Sequence, residues 1–184
     1  MRNLLAFDLG ASNGRAILGQ FDGKKLTMRE LHRFENNYIE MNCVFYWDLP
    51  YLYNQLKQGF LAFKNANVGD LDCFGIDTWG VDYGLLDKNG QLLSNPRSYR
   101  WAVNEDMEEV WKTVDFKTLF ARTGIASMNF NTVYQLCRRR QEGDPALDAA
   151  ETMLLMPDLL GFFLTDEAKT EYTNATTSML YRRL

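Results

Sequence analysis

The hydrophobic pattern of the first third of the chain predicts three adjacent β-strands. The first, Asn3–Leu9, is apolar apart from an acid near its end, and a second apolar run, Ala16–Phe21, follows a short turn of small residues. The dipeptide Asp22-Gly23 favours a tight hairpin. The mixed polarity of Lys25–Phe34 is typical of a strand near a sheet edge.

Beyond this region the apolar positions change to helical spacing. Asp48 suits an N-cap, Pro50 suits the first turn, and the apolar residues up to Phe63 fall on one helix face. Two short strands follow, Leu71–Thr78 and Asp82–Asp87. Further helical patterns cover residues 107–114, 116–122, 131–142 and 157–164. Strands and helices in this order predict an α/β domain with a mixed sheet.

The first candidate for chemistry lies where the first strand ends. Asp8 stands at its exit, and the small residues Gly10–Gly14 come directly after it. Glycine tolerates positive φ and has no side chain, so backbone N–H groups here could approach a phosphate closely. A carboxylate beside such a cradle suits Mg²⁺, which joins carboxylates to nucleotide phosphates. The same residues also suit an ordinary hairpin turn, and they match neither a Walker loop nor a dinucleotide fingerprint.

A second candidate is the segment Gly75–Tyr83, which leaves one predicted strand and enters the next. Sugar sites combine acids or amides for hydroxyl groups with an aromatic face for the ring, and Asp77, Trp79 and Asp82 have this chemistry. From these residues alone, a tight connection around a core tryptophan is the simpler interpretation. Asn131, Thr132 and Gln135 could also reach a hydroxylated ligand, although Asn131 suits a helix N-cap better.

Five ordered motifs resemble those of one protein family. They are D-L-G-A-S-N-G-R (8–15), G-I-D-T-W-G-V-D-Y (75–83), F-N-T-V-Y-Q-L (130–136), L-L-M-P-D (154–158) and E-Y-T-N-A-T-T (171–177). Together they resemble the N-terminal part of the FGGY carbohydrate kinases, and the D-T-W-G-V-D string resembles the branch that acts on L-rhamnulose. Glycerol kinases carry arginine and glutamate at the positions of Gly80 and Val81.

The resemblance implies a fold and a set of site residues. The expected fold is an actin-like ATPase (RNase H-like) domain, with a mixed five-stranded sheet flanked by helices. Asp8 would hold Mg²⁺ through water, and Gly80, with Trp79 and Asp82, would contact the sugar. The terminal phosphates of ATP would contact the loop residues Ala11, Ser12, Asn13, Gly14 and Arg15.

The resemblance also implies an activity and a division of the whole protein. Residues 1–184 would be a truncated N-terminal domain, without the second actin-like domain that carries the adenine-binding surface. The catalytic aspartate would lie beyond Leu184, so this chain alone should be inactive. The expected reaction transfers the γ-phosphate of ATP to the 1-hydroxyl of L-rhamnulose, in rhamnose catabolism. The alternatives are a kinase of the same family for L-fuculose, D-xylulose or glycerol, and a non-catalytic actin-like domain.

Composition narrows the range of partners. The formal net charge of −4 argues against nucleic acid and acidic membranes as partners. Three scattered cysteines favour reduced thiols and a cytoplasmic location. The basic run Arg138–Arg140 near a predicted helix end indicates a solvated turn. The expected partners are therefore the sugar, ATP and the protein's own C-terminal domain.

Overall fold

The computed structural model describes residues 1–182, which form two compact units. The first comprises residues 1–37 and 48–79, and the second comprises residues 38–47 with the chain from Gly80 onward. The strands are β1 (Arg2–Leu9), β2 (Asn13–Phe21), β3 (Leu26–Glu35), β4 (Tyr38–Met41), β5 (Val44–Trp47), β6 (Cys73–Asp77), β7 (Tyr83–Leu86) and β8 (Thr152–Leu155). The α-helices are α1 (Leu49–Asn65), α2 (Glu105–Trp111), α3 (Phe116–Thr123), α4 (Thr132–Gln141), α5 (Pro145–Ala149), α6 (Met156–Thr165) and α7 (Tyr172–Thr176).

The first unit is a mixed sheet with α1 packed on one face. Its strand order is β3-β2-β1-β6, in which β1, β2 and β3 are antiparallel and β6 runs parallel to β1. Alternate residues of β1 are buried, namely Leu5, Phe7 and Leu9. Their burial stabilises the unit by about 1.5–3 kcal/mol for each large side chain.

Helix α1 forms where the sequence predicts it. The Asp48 carboxylate accepts a hydrogen bond from the Tyr51 N–H at 3.0 Å, and Pro50 stands in the first turn. A Cβ atom on Gly59 would lie 2.4 Å from the Phe7 ring, so the helix approaches the sheet closely because this position has no side chain. The buried face consists of Leu49, Leu52, Leu56, Gly59 and Phe63.

The second unit contains two sheets of two strands each and the remaining helices. Strands β4 and β5 form a hairpin, and β7 pairs antiparallel with β8. One apolar cluster is built on Tyr83, Leu85, Leu155 and Ala175. Another is built on Val110, Tyr134 and Met179.

The predicted mixed α/β architecture is confirmed, but the main sheet has four strands where five were expected. The strand predicted at Asp82–Asp87 exists as β7, yet it pairs with β8 in the second unit. The chain turns sharply just before β7, where Val81 has a φ of 69°. The β4–β5 hairpin and β8 were not predicted from the sequence, because their strands are short and lack a clear alternating pattern.

The basic run at the end of α4 is only partly a solvated turn, because the Arg140 side chain is 74% exposed whereas Arg139 is buried. Arg139 is 3% exposed, and its Nε donates to Asp144 Oδ2 at 2.8 Å. Arg97 binds the same oxygen at 2.9 Å. Burial by itself would raise the pKa of Asp144, but hydrogen bonds from the Ala146 N–H and from Arg139 outweigh it and lower the pKa. The run therefore includes a buried ion pair that local sequence does not reveal.

None of the described helices has both the length and the apolar composition needed to cross a bilayer.

Candidate functional site

The loop after β1 is a tight hairpin with Ala11 and Ser12 at its tip. Gly10 donates its N–H to the Asn13 carbonyl at 2.8 Å, which closes the turn. In the part of the chain that the structure describes, the N–H groups of Ala11 and Ser12 donate no hydrogen bond to protein. Ser12 and Asn13 are exposed. These two amides can therefore bind an anion, as the nucleotide interpretation requires.

A buried asparagine that sequence analysis missed holds this loop in place. Asn36 is 1% exposed, its Nδ2 donates to the Gly10 carbonyl at 2.7 Å, and its N–H donates to the Ser12 carbonyl at 3.0 Å. Asn36 thus donates hydrogen bonds to the carbonyl groups of both Gly10 and Ser12. The only sequence signal is an Asn-Asn pair after β3, which does not indicate its partner.

The glycine at the end of the loop serves packing rather than backbone freedom. Neither Gly10 nor Gly14 adopts the left-handed region, contrary to the reason expected from sequence. A Cβ atom on Gly14 would lie 2.2 Å from the Phe34 ring. Gly14 is therefore required because the aromatic ring of the neighbouring strand covers it.

Asp8 lies beside this loop and is paired with Arg15 across the hairpin. Arg15 donates from Nε at 2.9 Å and from a terminal nitrogen at 2.7 Å, both to Asp8 Oδ2. Each side chain is 41% exposed, so the pair contributes at most about 1 kcal/mol to stability. No protein donor among residues 1–182 binds the other Asp8 oxygen. That oxygen is available to a ligand.

The donor set around Asp8 fits a magnesium ion held largely by water and phosphate. Asp77 stands next to Asp8 on the parallel strand β6, which adds a second exposed carboxylate at this end of the sheet. Within residues 1–182, no three His, Cys, Asp or Glu side chains form a metal-binding group. Mg²⁺ commonly keeps several waters and takes one or two carboxylates beside nucleotide phosphates, so one or two acids are sufficient.

The segment 75–83 is divided between the two units. Asp77, Thr78 and Trp79 belong to the first unit, and Trp79 is half-buried. Gly80 begins the second unit.

Within the second unit, Gly80 lies next to polar side chains from the E-Y-T-N-A-T-T motif. A Cβ atom on Gly80 would lie 3.4 Å from Thr177 Oγ1 and 3.8 Å from Asn174 Oδ1. Both residues belong to the motif at positions 171–177, and neither was among the predicted sugar contacts. The structure brings both to the position predicted to contact the sugar.

Asp82 is an internal hydrogen-bond centre. Its side chain is 0% exposed. Its Oδ2 accepts from the indole N–H of Trp47 at 2.6 Å and from the Tyr99 N–H at 3.0 Å, and its Oδ1 accepts from Gln135 Nε2 at 2.9 Å. A buried carboxylate with this many donors joins separate parts of its unit together. Direct contact of Asp82 with a sugar remains a prediction, and its observed bonds favour a structural role.

Val81, between Gly80 and Asp82, has a strained backbone. Its φ of 69° is rare for a β-branched residue, and the Asp82 N–H donates to the Gly80 carbonyl at 2.9 Å. These are the marks of a γ-turn with positive φ at its centre. Such a conformation costs about 1–3 kcal/mol and persists only where the surroundings enforce it.

Side chains at the start of α4 donate hydrogen bonds to this turn. Thr132 Oγ1 donates to the Val81 carbonyl at 2.7 Å, and Gln135 Nε2 reaches both Asp82 and that carbonyl. Asn131 stands at the N-cap position but makes no side-chain cap bond, and its Nδ2 donates to the Ala126 carbonyl at 2.9 Å. The expected capping by the Asn131 side chain is therefore wrong.

The last two motifs contact each other. The Glu171 N–H donates to Asp158 Oδ1 at 3.2 Å, and burial raises the pKa of Asp158. Glu171 in turn caps α7, where hydrogen bonds from Thr173 and from the Asn174 N–H lower the pKa of Glu171. This arrangement fixes α7, which carries Asn174 toward Gly80.

Comparison with known sequences identifies relatives over nearly the whole chain. Residues 3–182 match the profile of the FGGY family of carbohydrate kinases, N-terminal domain. The chain is 41% identical to a rhamnulokinase of Bacteroides thetaiotaomicron, covering 97% of this chain and 37% of that protein. It is 39% identical to a rhamnulokinase of Oceanobacillus iheyensis, covering 96% of this chain and 37% of that protein. The chain thus spans little more than a third of the length of these relatives.

Solved structures share the fold at much lower sequence identity. A ligand-bound xylulose kinase from Lactobacillus acidophilus superposes with a TM-score of 0.84 at 14% identity, covering 98% of this chain and 36% of that one. A xylulose kinase from Rhodospirillum rubrum gives a TM-score of 0.85 at 15% identity, covering 98% and 38%. These neighbours confirm the predicted actin-like fold, and at this identity they show the fold alone.

Proposed function

This chain belongs to the FGGY family of carbohydrate kinases, and from that membership we propose that it is part of an enzyme that phosphorylates L-rhamnulose. The reaction transfers the γ-phosphate of ATP to the 1-hydroxyl of the sugar and gives L-rhamnulose 1-phosphate. The observation that carries the proposal is the identity of 36–41% to several rhamnulokinases over nearly all of this chain.

The hairpin tip is assigned to ATP. The free N–H groups of Ala11 and Ser12 would bind phosphate oxygens, together with the backbone of Asn13, Gly14 and Arg15. The Asp8 carboxylate would hold Mg²⁺, which when bound neutralises charge on the phosphates. Arg15 has to share Asp8 with that ion, since it donates to only one of the two carboxylate oxygens.

The sugar is assigned to Gly80 and its surroundings. The absence of a side chain at Gly80 leaves its backbone accessible, and Asn174 and Thr177 supply polar atoms next to it. Trp79 would cover an apolar face of the ring. Asp82 is assigned to the sugar site as a buried residue whose hydrogen bonds hold the backbone next to Gly80 in place.

The chemistry asks this chain mainly to position its ligands. Phosphoryl transfer relies on placing the reacting groups in line and on stabilising charge. Correct placement alone can lower the barrier by about 7–11 kcal/mol. No residue of this chain is assigned as the catalytic base, which we place in the part of the protein outside residues 1–184. The C-terminal domain and the adenine-binding surface are assigned to that part as well.

A phosphorylation assay on the full-length protein tests the proposal. ADP release is measured with L-rhamnulose, L-fuculose, D-xylulose and glycerol at equal concentrations. We expect the highest kcat/KM with L-rhamnulose. A higher value with another substrate would assign the enzyme to that ketose or polyol, and no turnover with any would favour a non-catalytic domain. The 184-residue chain alone is the control, and we expect no turnover from it.

A further inference from the structure

The strained turn at Val81 needs an external cause. A β-branched residue with a φ of 69° does not adopt this conformation by local preference. The hydrogen bond from the Asp82 N–H to the Gly80 carbonyl closes the turn but is available to many sequences. The conformation must therefore be enforced by groups that contact the turn from elsewhere in the unit.

Two side chains on one face of α4 supply that enforcement. Thr132 is 0% exposed, and its hydroxyl donates to the Val81 carbonyl at 2.7 Å. Gln135 stands three residues later, on the same helix face, and its Nε2 donates to Asp82 Oδ1 at 2.9 Å. Together they bind the carbonyl at the centre of the turn and the carboxylate that follows it.

The opposite side of Asp82 is fixed as well. Its Oδ2 accepts from the Trp47 indole and from the Tyr99 N–H, so the residue after the turn cannot rotate. The Asp82 side chain and the Val81 carbonyl are both held by hydrogen bonds. Gly80 comes directly before them, so its backbone position depends on theirs. Fixing Val81 therefore fixes the Gly80 backbone relative to Thr177 and Asn174.

We propose that Thr132 and Gln135 are positioning residues for the sugar, which hold the γ-turn at Val81 and thereby set the place of the Gly80 backbone. This inference rests on the proposed function, which puts the ketose against Gly80. Neither side chain needs to contact the sugar, because both act through the turn. A displacement of about 1 Å at a ligand-positioning backbone is enough to change rates strongly.

Kinetics of Thr132 variants in the full-length protein test the proposal. Thr132→Val keeps the side-chain shape but removes the donor to the Val81 carbonyl. We expect the KM for L-rhamnulose to rise about tenfold, since the Val81 carbonyl loses the shorter of its two side-chain hydrogen bonds, while the KM for ATP stays unchanged. Thr132→Ser keeps the hydroxyl and should restore a KM close to that of the parent protein.

Relief of the strain is the second arm. Glycine adopts positive φ without a side-chain clash, so Val81→Gly should relieve the strain in the turn. In the Val81→Gly/Thr132→Val double variant, the KM for L-rhamnulose should fall most of the way from its raised value in Thr132→Val to that of the parent protein. Thr123→Val is the matched control, because Thr123 also donates its hydroxyl to a carbonyl, that of Leu119, at 2.9 Å. We expect no change in sugar KM in that variant.

The outcomes separate this inference from the proposed function. If the parent protein phosphorylates none of the sugars, the proposed function fails, and the positioning role fails with it. If the parent protein is active but Thr132→Val leaves the sugar KM unchanged, or raises the KM for sugar and ATP equally, only the positioning role is overturned. Failure of Val81→Gly to rescue Thr132→Val would overturn the role of strain.

Discussion

Asp8 and Asp82 stand in similar sequence surroundings but have opposite environments. Asp8 lies near the end of β1 and Asp82 directly precedes β7, each motif has a glycine nearby, and both residues were assigned to ligands from sequence. Asp8 is 41% exposed and shares one oxygen with Arg15. Asp82 is fully buried, and three donors bind its two oxygens. The same residue type is therefore exposed beside the hairpin tip in one unit and buried among hydrogen-bond donors in the other.

The difference lies in where the hydrogen-bond donors come from. The partner of Asp8 is seven residues away, directly across a hairpin, and leaves one carboxylate oxygen free. The donors to Asp82 come from Trp47, Tyr99 and Gln135, which lie far apart in sequence. Long-range donors of this kind consume the binding capacity of a carboxylate without leaving a local sequence signal.

The largest expected effect is on stability. Asp82→Ala removes the acceptor of the Trp47 indole N–H and of the Tyr99 N–H, and it removes one of the hydrogen bonds of Gln135 Nε2, which keeps the Phe130 carbonyl. We therefore expect the free energy of unfolding to fall by about 3–5 kcal/mol. Urea denaturation followed by circular dichroism measures it. Asp8→Ala is the control, and its loss should stay within about 1 kcal/mol because the Asp8–Arg15 pair is exposed. Equal losses in the two variants would break the distinction.

The activity of the full-length protein should show the reverse order. Asp8→Ala removes the carboxylate assigned to Mg²⁺, and we expect kcat at saturating Mg·ATP to fall by about 10²–10³-fold. A steady-state assay measures this, with unchanged thermal unfolding as the check on folding. Near-normal turnover would remove Asp8 from the site.

A third internal carboxylate, Asp144, should behave like Asp82 and show a pH dependence. Its pKa lies below the ordinary value of 3.8, so its stabilising contribution is present above that value and is lost as the pH falls through the lowered pKa. Asp144→Asn should lower the free energy of unfolding by about 1.5–3 kcal/mol at pH 7. Urea titrations at several pH values should show the deficit shrinking below pH 3.8. A deficit independent of pH would contradict the ion-pair account.

The smallest effect concerns Gly14, at the end of the hairpin loop after β1. Gly14→Ala places a Cβ atom against the Phe34 ring, and we expect it to cost about 1–3 kcal/mol of stability. Gly75→Ala is the matched control in the same sheet, because no atom lies within 4 Å of a Cβ atom built there. We predict that Gly14→Ala unfolds at a lower temperature than Gly75→Ala. Equal unfolding would mean that the Phe34 ring moves aside freely.

Local sequence predicted much of the fold. The three initial strands, α1 with its Asp48 cap and the mixed α/β class follow from periodicity and turn chemistry, which act over a few residues. The placement of β7 could not be predicted, because its partner β8 lies some seventy residues later and the turn at Val81 has no sequence signature.

The candidate site was predictable to a similar degree. The hairpin tip at Ala11 and Ser12 follows from small residues between two strands. Asn36, Thr132 and Gln135 did not emerge in their observed roles, since each binds a backbone carbonyl more than twenty residues away. A motif indicates that a turn is present, and only the fold shows what holds it.

Hydrogen exchange at the hairpin tip tests the central assignment most directly. The full-length protein is compared with and without Mg·ATP, and exchange is read at the N–H groups of Ala11 and Ser12. We predict that Mg·ATP slows exchange at both amides, because they would donate to phosphate oxygens. The exposed strand β4 should be unaffected and serves as the internal reference. Unchanged exchange at Ala11 and Ser12 at a saturating nucleotide concentration would contradict the account.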